Sequence, residues 1–174
     1  MKEIILGGGC FWCIEAVFKR VDGVIKAISG YSGGKRENPS YEQVCSGATG
    51  HAEVVKIVYD EAKITLKELL EIFFAIHDPT TLNRQGADKG TQYRSVVYYE
   101  NEDEKKIIKE AIKQAQKNYT QKIVTEVSPK QPFYNAEDYH QNYYDTNPSQ
   151  GYCQVVIKPK VEKFLTKFGE KLKR

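Results

Sequence analysis

The stretch Gly7-Gly8-Gly9-Cys10-Phe11-Trp12-Cys13 constrains this chain more than any other. The apolar run Ile4-Ile5-Leu6 precedes it and reads as a strand. After it, Ile14, Val17, Phe18 and Val21 fall at i, i+3, i+4 and i+7, the spacing of one helix face. Cys10 is therefore expected where a strand hands over to a helix. At a helix N-terminus the first N–H groups lack partners and the dipole favours negative charge. This predicts a thiol that ionises readily, and the thiolate is the reactive form. The glycines allow a sharp turn and are expected to leave the sulfur uncovered. Cys13 follows one turn on, on the same side, where a second thiol can reach an oxidised first one. A lone free cysteine is often just a small buried hydrophobe; two at this spacing on a glycine-rich turn argue for reactivity. The glycines do not form a nucleotide loop. No Lys-Ser/Thr stands at the P-loop spacing, and Trp12 occupies the place of the third glycine in a dinucleotide fingerprint.

A chain of 174 residues can bury a sizeable core as one domain, spanning 1–174. Its net charge of +3 is too small to point to nucleic acid or a membrane. The start, Met1 to Leu6, is too short in apolar residues for a signal peptide, and no apolar run could span a bilayer. The expected place is the cytoplasm, where thiols stay reduced and disulfides tend to be catalytic. Four cysteines in this length do not make a disulfide scaffold.

Periodicity gives strands over 2–6, 23–31, 53–59, 93–100 and 122–128, and a short one over 155–157. It gives helices over 10–21, from Leu66 to about His77, over 102–119, and around 161–168 at the C-terminus. A short helix is expected near 136–144. Thr65 with Glu68 forms a capping box for the second helix. Residues 32–49 and 79–92 read as long polar loops, and such loops in compact domains are often functional. The lysine-rich face of the C-terminal helix reads as solvated surface. The first six elements run β-α-β-β-α-β, the split βαβ or ferredoxin-like order. The fold class is α+β: a two-layer α/β sandwich on a ferredoxin-like core with C-terminal additions.

Glu53 opens a strongly apolar strand, which would carry its carboxyl to the edge of the core. Burial disfavours the charged form, so such a group tends to stay protonated, as a general acid near neutral pH must; taken alone, though, the position reads first as a partly exposed strand end. His51, His77 and His140 read as satisfied structural histidines, because no second pair of ligands has zinc-site spacing. No metal or cofactor is expected. The loop from His77 to Ser95, with its glycines, aspartate and tyrosine at the mouth of a strand, is a plausible site loop.

Several separated motifs carry a family resemblance. They are Gly9-Cys10-Phe11-Trp12, Gly30-Tyr31-Ser32-Gly33-Gly34, Thr49-Gly50-His51-Ala52-Glu53, the His77-to-Ser95 block and Ala136-Glu137-Asp138-Tyr139-His140-Gln141. In that order they resemble the type A peptide methionine sulfoxide reductase (MsrA) family. The resemblance implies that Cys10 is the nucleophile, that Phe11 and Trp12 hold the substrate methyl group, and that Glu53 donates a proton toward the sulfoxide oxygen. It implies that Tyr41 and Tyr93 bind that oxygen and that Asp88 helps position the site. It further implies reduction of the S epimer of methionine sulfoxide, free or in proteins, with electrons from thioredoxin. Many members have glycine where this chain has Cys13 and resolve with a cysteine near the C-terminus. We expect Cys13 to resolve here, with Cys153 as the alternative and Cys45 structural. Two rival readings remain: a general Cys-x-x-Cys thiol–disulfide oxidoreductase, and a non-catalytic zinc-binding module.

Overall fold

The computed structural model describes residues 1–173; Arg174, the last residue of the expected domain span, lies outside the described residues. The chain runs β1 (Lys2–Gly7), α1 (Phe11–Phe18), β2 (Val24–Ser32), α2 (Tyr41–Cys45), β3 (Ala52–Tyr59), α3 (Leu66–Ile76), β4 (Arg84–Gln85) and β5 (Asp88–Lys89). It continues through β6 (Val96–Tyr99), α4 (Glu102–Gln116), β7 (Glu126–Pro129), β8 (Phe133–Asn135), α5 (Tyr143–Thr146) and α6 (Lys158–Phe168). Six strands form one sheet in the order β7-β6-β1-β3-β2-β8, while β4 and β5 pair as a small hairpin. All pairs in the large sheet are antiparallel except β6 with β7. The protein is a mixed α/β structure built on this central sheet.

Alternation along the strands divides the sheet into two faces. Ile4, Leu6, Val55, Ile57 and Val97 join the main core with α1, α3 and α6. Ile5, Val54, Val96 and Tyr98 form a smaller cluster with Phe133. Helix α3 starts as its capping box predicts: Thr65 accepts from the Glu68 N–H, and Glu68 reaches back to the Thr65 N–H. No described helix is long and apolar enough to cross a membrane.

The antiparallel register decides where the site lies. Strand β1 ends at Gly7, and β3 begins beside it at Ala52 and Glu53. Strand β2 ends at Tyr31 and Ser32 opposite Glu53 and Ala52, and β6 begins with Val96 opposite Gly7. Four stretches far apart in sequence therefore meet at one end of the sheet.

Several expectations need correction. The loop over 32–49 contains helix α2, started by a Ser40–Gln43 capping box. Strand β6 is shorter than expected, because residues 91–93 wind as a 3₁₀ turn. The C-terminal part of the 122–128 strand forms as β7, and β8 was not expected. Residues 155–157 are not a strand. Cys153–Ile157 is a π-helical turn leading into α6. Cys153, Ile157, Val161 and Phe164 are all buried, a helical spacing that outweighs the β-branched preference of Val155-Val156-Ile157. Pro159 has no N–H to continue an α-helical ladder back to Val155, so a wider turn fits there.

Candidate active site

Cys10 is the N-cap of α1, in an extended conformation (φ −64°, ψ 131°), and its carbonyl accepts from the Cys13 N–H at 3.1 Å. Gly9 before it has φ +91°, a region that favours glycine. A Cβ at Gly9 would lie 2.7 Å from Gln85, and one at Gly8 would lie 2.8 Å from the His77 ring. The glycines therefore let the 77–85 segment close over the motif. Cys10 is only 6% exposed, so the expectation of an uncovered sulfur is corrected.

The expectation of a readily ionised Cys10 is corrected too. Burial, the neighbouring Cys13 thiol and the Glu53 charge push the Cys10 thiol well above its ordinary value. Loss of water outweighs the dipole of a short helix. Cys13, fully buried, moves the other way because its sulfur accepts a hydrogen bond from Cys10.

Glu53 is 1% exposed. Its Oε1 accepts the Phe11 N–H at 3.2 Å, and its Oε2 has no partner. Burial pushes its carboxyl up to about 8, against the lowering effect of the Phe11 bond and with a further push from Asp88. At neutral pH the group is an acid with a proton to give. The hydroxyls of Tyr41 and Tyr93 are both raised far above the usual phenol range, by burial first and then by the Glu53 charge. Both therefore remain donors. Tyr41 is the first residue of α2. The carbonyl of Tyr93 accepts the Gly9 N–H at 3.2 Å, tying the 3₁₀ turn to the motif.

An aromatic box flanks the sulfur. The Trp12 ring stacks on Tyr143 at 3.7 Å, and Tyr152 meets it edge-on at 5.7 Å. Phe11 lies 5.6 Å from Tyr31 and 6.3 Å from Tyr41, between ring centres. Trp12 Nε1 donates to His140 Nδ1 at 3.1 Å. His140 Nε2 then carries the ring proton, and it is buried without a partner. His140 is thus no ordinary satisfied core histidine. His51 and His77 are satisfied: His51 bonds the Gly34 N–H and the Arg36 carbonyl, and His77 bonds the Phe73 carbonyl and Ser95. Asp88, on the β4–β5 hairpin, accepts the Tyr152 hydroxyl at 2.5 Å.

The structure brings Cys10, Cys13, Phe11, Trp12, Tyr41, Glu53, Asp88 and Tyr93 to one end of the sheet. Cys153 is buried in the π-helical turn, where Tyr152 beside it faces Trp12. Sequence reasoning gave no role to Glu137, His140, Tyr143 or Tyr152. Glu137 accepts the Tyr31 hydroxyl at 2.8 Å and the Tyr41 N–H at 3.0 Å, which braces α2. The signal available was the density of tyrosine over 139–152, which a long polar segment does not need for solubility.

A thiol that can take up an oxygen atom, a second thiol one turn away and a protonated carboxyl at its side define a cysteine-dependent reductase. Residues 2–172 match the family described as peptide methionine sulfoxide reductase. A relative of that name from Saccharolobus solfataricus is 56% identical over 173 residues, covering 99% of this chain and 98% of its own. The reduced form of Mxr1 from Saccharomyces cerevisiae is similar in structure, with TM-score 0.81 and 39% identity over 87% of this chain and 88% of that one. Mxr1 in complex with Trx2 is similar at TM-score 0.57 and 27% identity, over 82% of this chain and 84% of that one. The chain belongs to the peptide methionine sulfoxide reductase family.

Proposed function

We propose that this chain reduces the S epimer of methionine sulfoxide, free or in proteins, through Cys10. The observation that carries the reading is the unpartnered Oε2 of buried, protonated Glu53 beside Cys10. A sulfoxide sulfur is a poor electrophile until its oxygen is protonated or strongly hydrogen-bonded. Glu53 supplies the proton, and the Tyr41 and Tyr93 hydroxyls hold the oxygen. Phe11 and Trp12 form the wall for the S-methyl group, since such groups pack well on rings. The Cys10 sulfur attacks, the sulfur–oxygen bond of the substrate breaks, and methionine leaves. Cys10 keeps the oxygen as sulfenic acid, so the cysteine is oxidised by the two electrons that the substrate gains. The Cys13 thiol then displaces water from that sulfenic acid and closes a Cys10–Cys13 disulfide. The Cys13 thiol stands one helical turn from Cys10, its N–H bonded to the Cys10 carbonyl, and is held below its ordinary pKa, which supports this choice over Cys153.

An external dithiol returns both cysteines to thiols, and thioredoxin is the proposed reductant. The structural similarity to Mxr1 in complex with Trx2 supports that choice. Four free cysteines fit a reducing compartment, and we place the protein in the cytoplasm. We read the chain as one catalytic domain, because its main core runs from Ile4 to Phe164. The order β6-β1-β3-β2 with all-antiparallel pairing supports a ferredoxin-like core.

The test mixes pre-reduced protein, without reductant, with each epimer of N-acetyl-methionine sulfoxide. Methionine formed and thiols lost are counted for wild type, Cys13→Ser and Cys153→Ser. The expected result is a single turnover from the S epimer with loss of a pair of thiols. Cys13→Ser should form methionine and accumulate sulfenic acid. A disulfide in that variant transfers the resolving role to Cys153, and no methionine from either epimer ends the reading.

A further inference from the structure

The chemistry above makes no use of Glu15, a carboxyl on α1 one turn after Trp12 and so on the same side of the helix. Glu15 is 2% exposed, and its Oε2 accepts the Ser29 hydroxyl of β2 at 3.1 Å. Ser29 is buried as well. Taking a carboxyl out of water is costly, and an apolar side chain of similar volume would fill this place without that cost. What such a side chain would lack is the tie to Ser29.

Ser29 is also where the segment that completes the aromatic box is fastened. Strand β8 pairs with β2 only as far as Asn135, opposite Gly30. One residue on, the Ala136 N–H donates to the Ser29 carbonyl at 2.9 Å. The Gln141 side chain then takes both backbone groups of Ser29. Its Oε1 accepts the Ser29 N–H at 3.0 Å, and its Nε2 donates to the Ser29 carbonyl at 2.9 Å and to the Ala136 carbonyl at 3.2 Å. An amide side chain, with a donor and an acceptor side by side, stands in for the missing strand partner.

The two residues that hold Trp12 lie on either side of that clamp. His140, just before Gln141, accepts the Trp12 Nε1–H at 3.1 Å. Tyr143, two residues after it, lies on the Trp12 ring with the planes 6° apart. Asn142, between clamp and stack, has φ +56°, in the left-handed region. Lys19 and Arg20 also reach this segment, at Asn142 and Asp145, but at the surface, where such pairs contribute little. The Glu15–Ser29 bond is the buried tie between α1 and the anchor of the segment. A ring of contacts therefore closes. It runs from Trp12 along α1 to Glu15, across to Ser29, through Gln141 to His140 and Tyr143, and back to Trp12.

We propose that Glu15 is a positioning residue for the methyl pocket: its bond to Ser29 fixes α1 against the Gln141 clamp and so sets how His140 and Tyr143 meet Trp12. The proposal rests on the reading of Trp12 as a wall of the substrate pocket. Glu15 touches neither the sulfoxide nor Cys10 in this account, so its effect falls on binding rather than on the chemical step.

Trp12 is the sole tryptophan of the chain, so intrinsic fluorescence reports on it alone. The test compares the full-length wild type with Glu15→Gln, Ser29→Ala and Glu15→Leu/Ser29→Ala. Acrylamide quenching of Trp12 is measured in the free protein. KM and kcat are measured on the S epimer of N-acetyl-methionine sulfoxide with dithiothreitol as reductant. Removing both partners of the bond leaves neither unsatisfied, so the double variant should stay folded. Its KM should rise about fivefold with kcat within about twofold of wild type, and Trp12 should be quenched more readily. Ser29→Ala should move both readouts the same way. Glu15→Gln keeps an acceptor for the Ser29 hydroxyl, so its KM should stay within about twofold. Unchanged KM or unchanged quenching in the double variant overturns the proposal. So does a fall in kcat with KM unchanged, or a Glu15→Gln that behaves like the double variant. If the double variant does not fold, Ser29→Ala decides by the same outcomes. A wild type that forms no methionine ends the reductase reading instead, and the quenching of Trp12 then decides by itself whether the tie positions that ring.

Discussion

The backbone N–H of Phe11 donates to the Oε1 of Glu53 at 3.2 Å across 42 residues of sequence. The first residue of α1 thereby fixes one oxygen of the carboxyl, and the other oxygen of Glu53 is left without a protein partner. Cys10 and Glu53 are linked through one peptide unit, the one that joins Cys10 to Phe11.

Activity should follow the protonated form of Glu53. With its carboxyl near 8, kcat/KM should fall as pH rises through that value, because the acid form is lost. The carboxylate would also push the Cys10 thiol further up. Glu53→Gln keeps a donor but has no proton to transfer. It should lower kcat by about 10²–10⁴-fold and abolish that limb of the profile. Initial rates from pH 6 to 9.5 check this.

The aromatic box should act mainly on binding. Trp12→Leu removes the Tyr143 stack and the bond to His140, so KM should rise more than kcat falls. His140→Phe should raise KM by a smaller factor, because the Trp12 N–H loses its acceptor, a loss of about 1 kcal/mol. Steady-state kinetics on N-acetyl-methionine sulfoxide separates the two parameters.

Glu15 should shape stability against pH. It is buried on α1, where its carboxylate accepts from the Ser29 hydroxyl at 3.1 Å, and burial lifts it to about 7. Lys19 and Asp145 are the charged groups beside it. A carboxyl raised in the folded state favours folding while protonated. Its contribution is full below the unfolded carboxylate range and is lost as pH rises through about 7. Urea midpoints should therefore drop between pH 5 and pH 8, and less steeply in Glu15→Gln. Glu53 adds to the same slope and over a wider range, so Glu15→Gln flattens it only in part.

Gly30→Ala should damage both sheet and site. A Cβ there would lie 2.5 Å from the Tyr134 carbonyl and 2.3 Å from the Phe133 ring. Backbone cannot yield as a flexible side chain can, so β8 should separate from β2 at a cost of about 1–3 kcal/mol. The segment after β8 carries Glu137 and His140, so activity should fall as well. Denaturant midpoints and kcat/KM, measured together, check this.

The motif order and the Cys10–Cys13 spacing were legible in the chain because they are local, and so was the capping box at Thr65. Apolar alternation marked β1, β2 and β3, and the helix periods marked α1, α3 and α4. Glu53 could be read as carried toward the core edge because it opens an apolar strand, but a partly exposed strand end fitted the residues as well, and only the fold shows it 1% exposed. The strand expected over 155–157 failed because three β-branched residues outweighed a helical burial spacing that runs across their boundaries, from Cys153 to Phe164.

Sequence by itself determined which residues are chemically able and in what family pattern they stand. Tertiary structure decided how they behave. The 77–85 segment closes over Gly8 and Gly9, Cys10 beside them is buried, and that burial reverses the ionisation expected of a helix terminus. The antiparallel register brings Gly7 to Val96 and Tyr31 to Glu53. The return of residues 137–152 sets His140, Tyr143 and Tyr152 around Trp12. Desolvation and long-range pairing depend on which distant segments come together, and no local window of the chain contains that information.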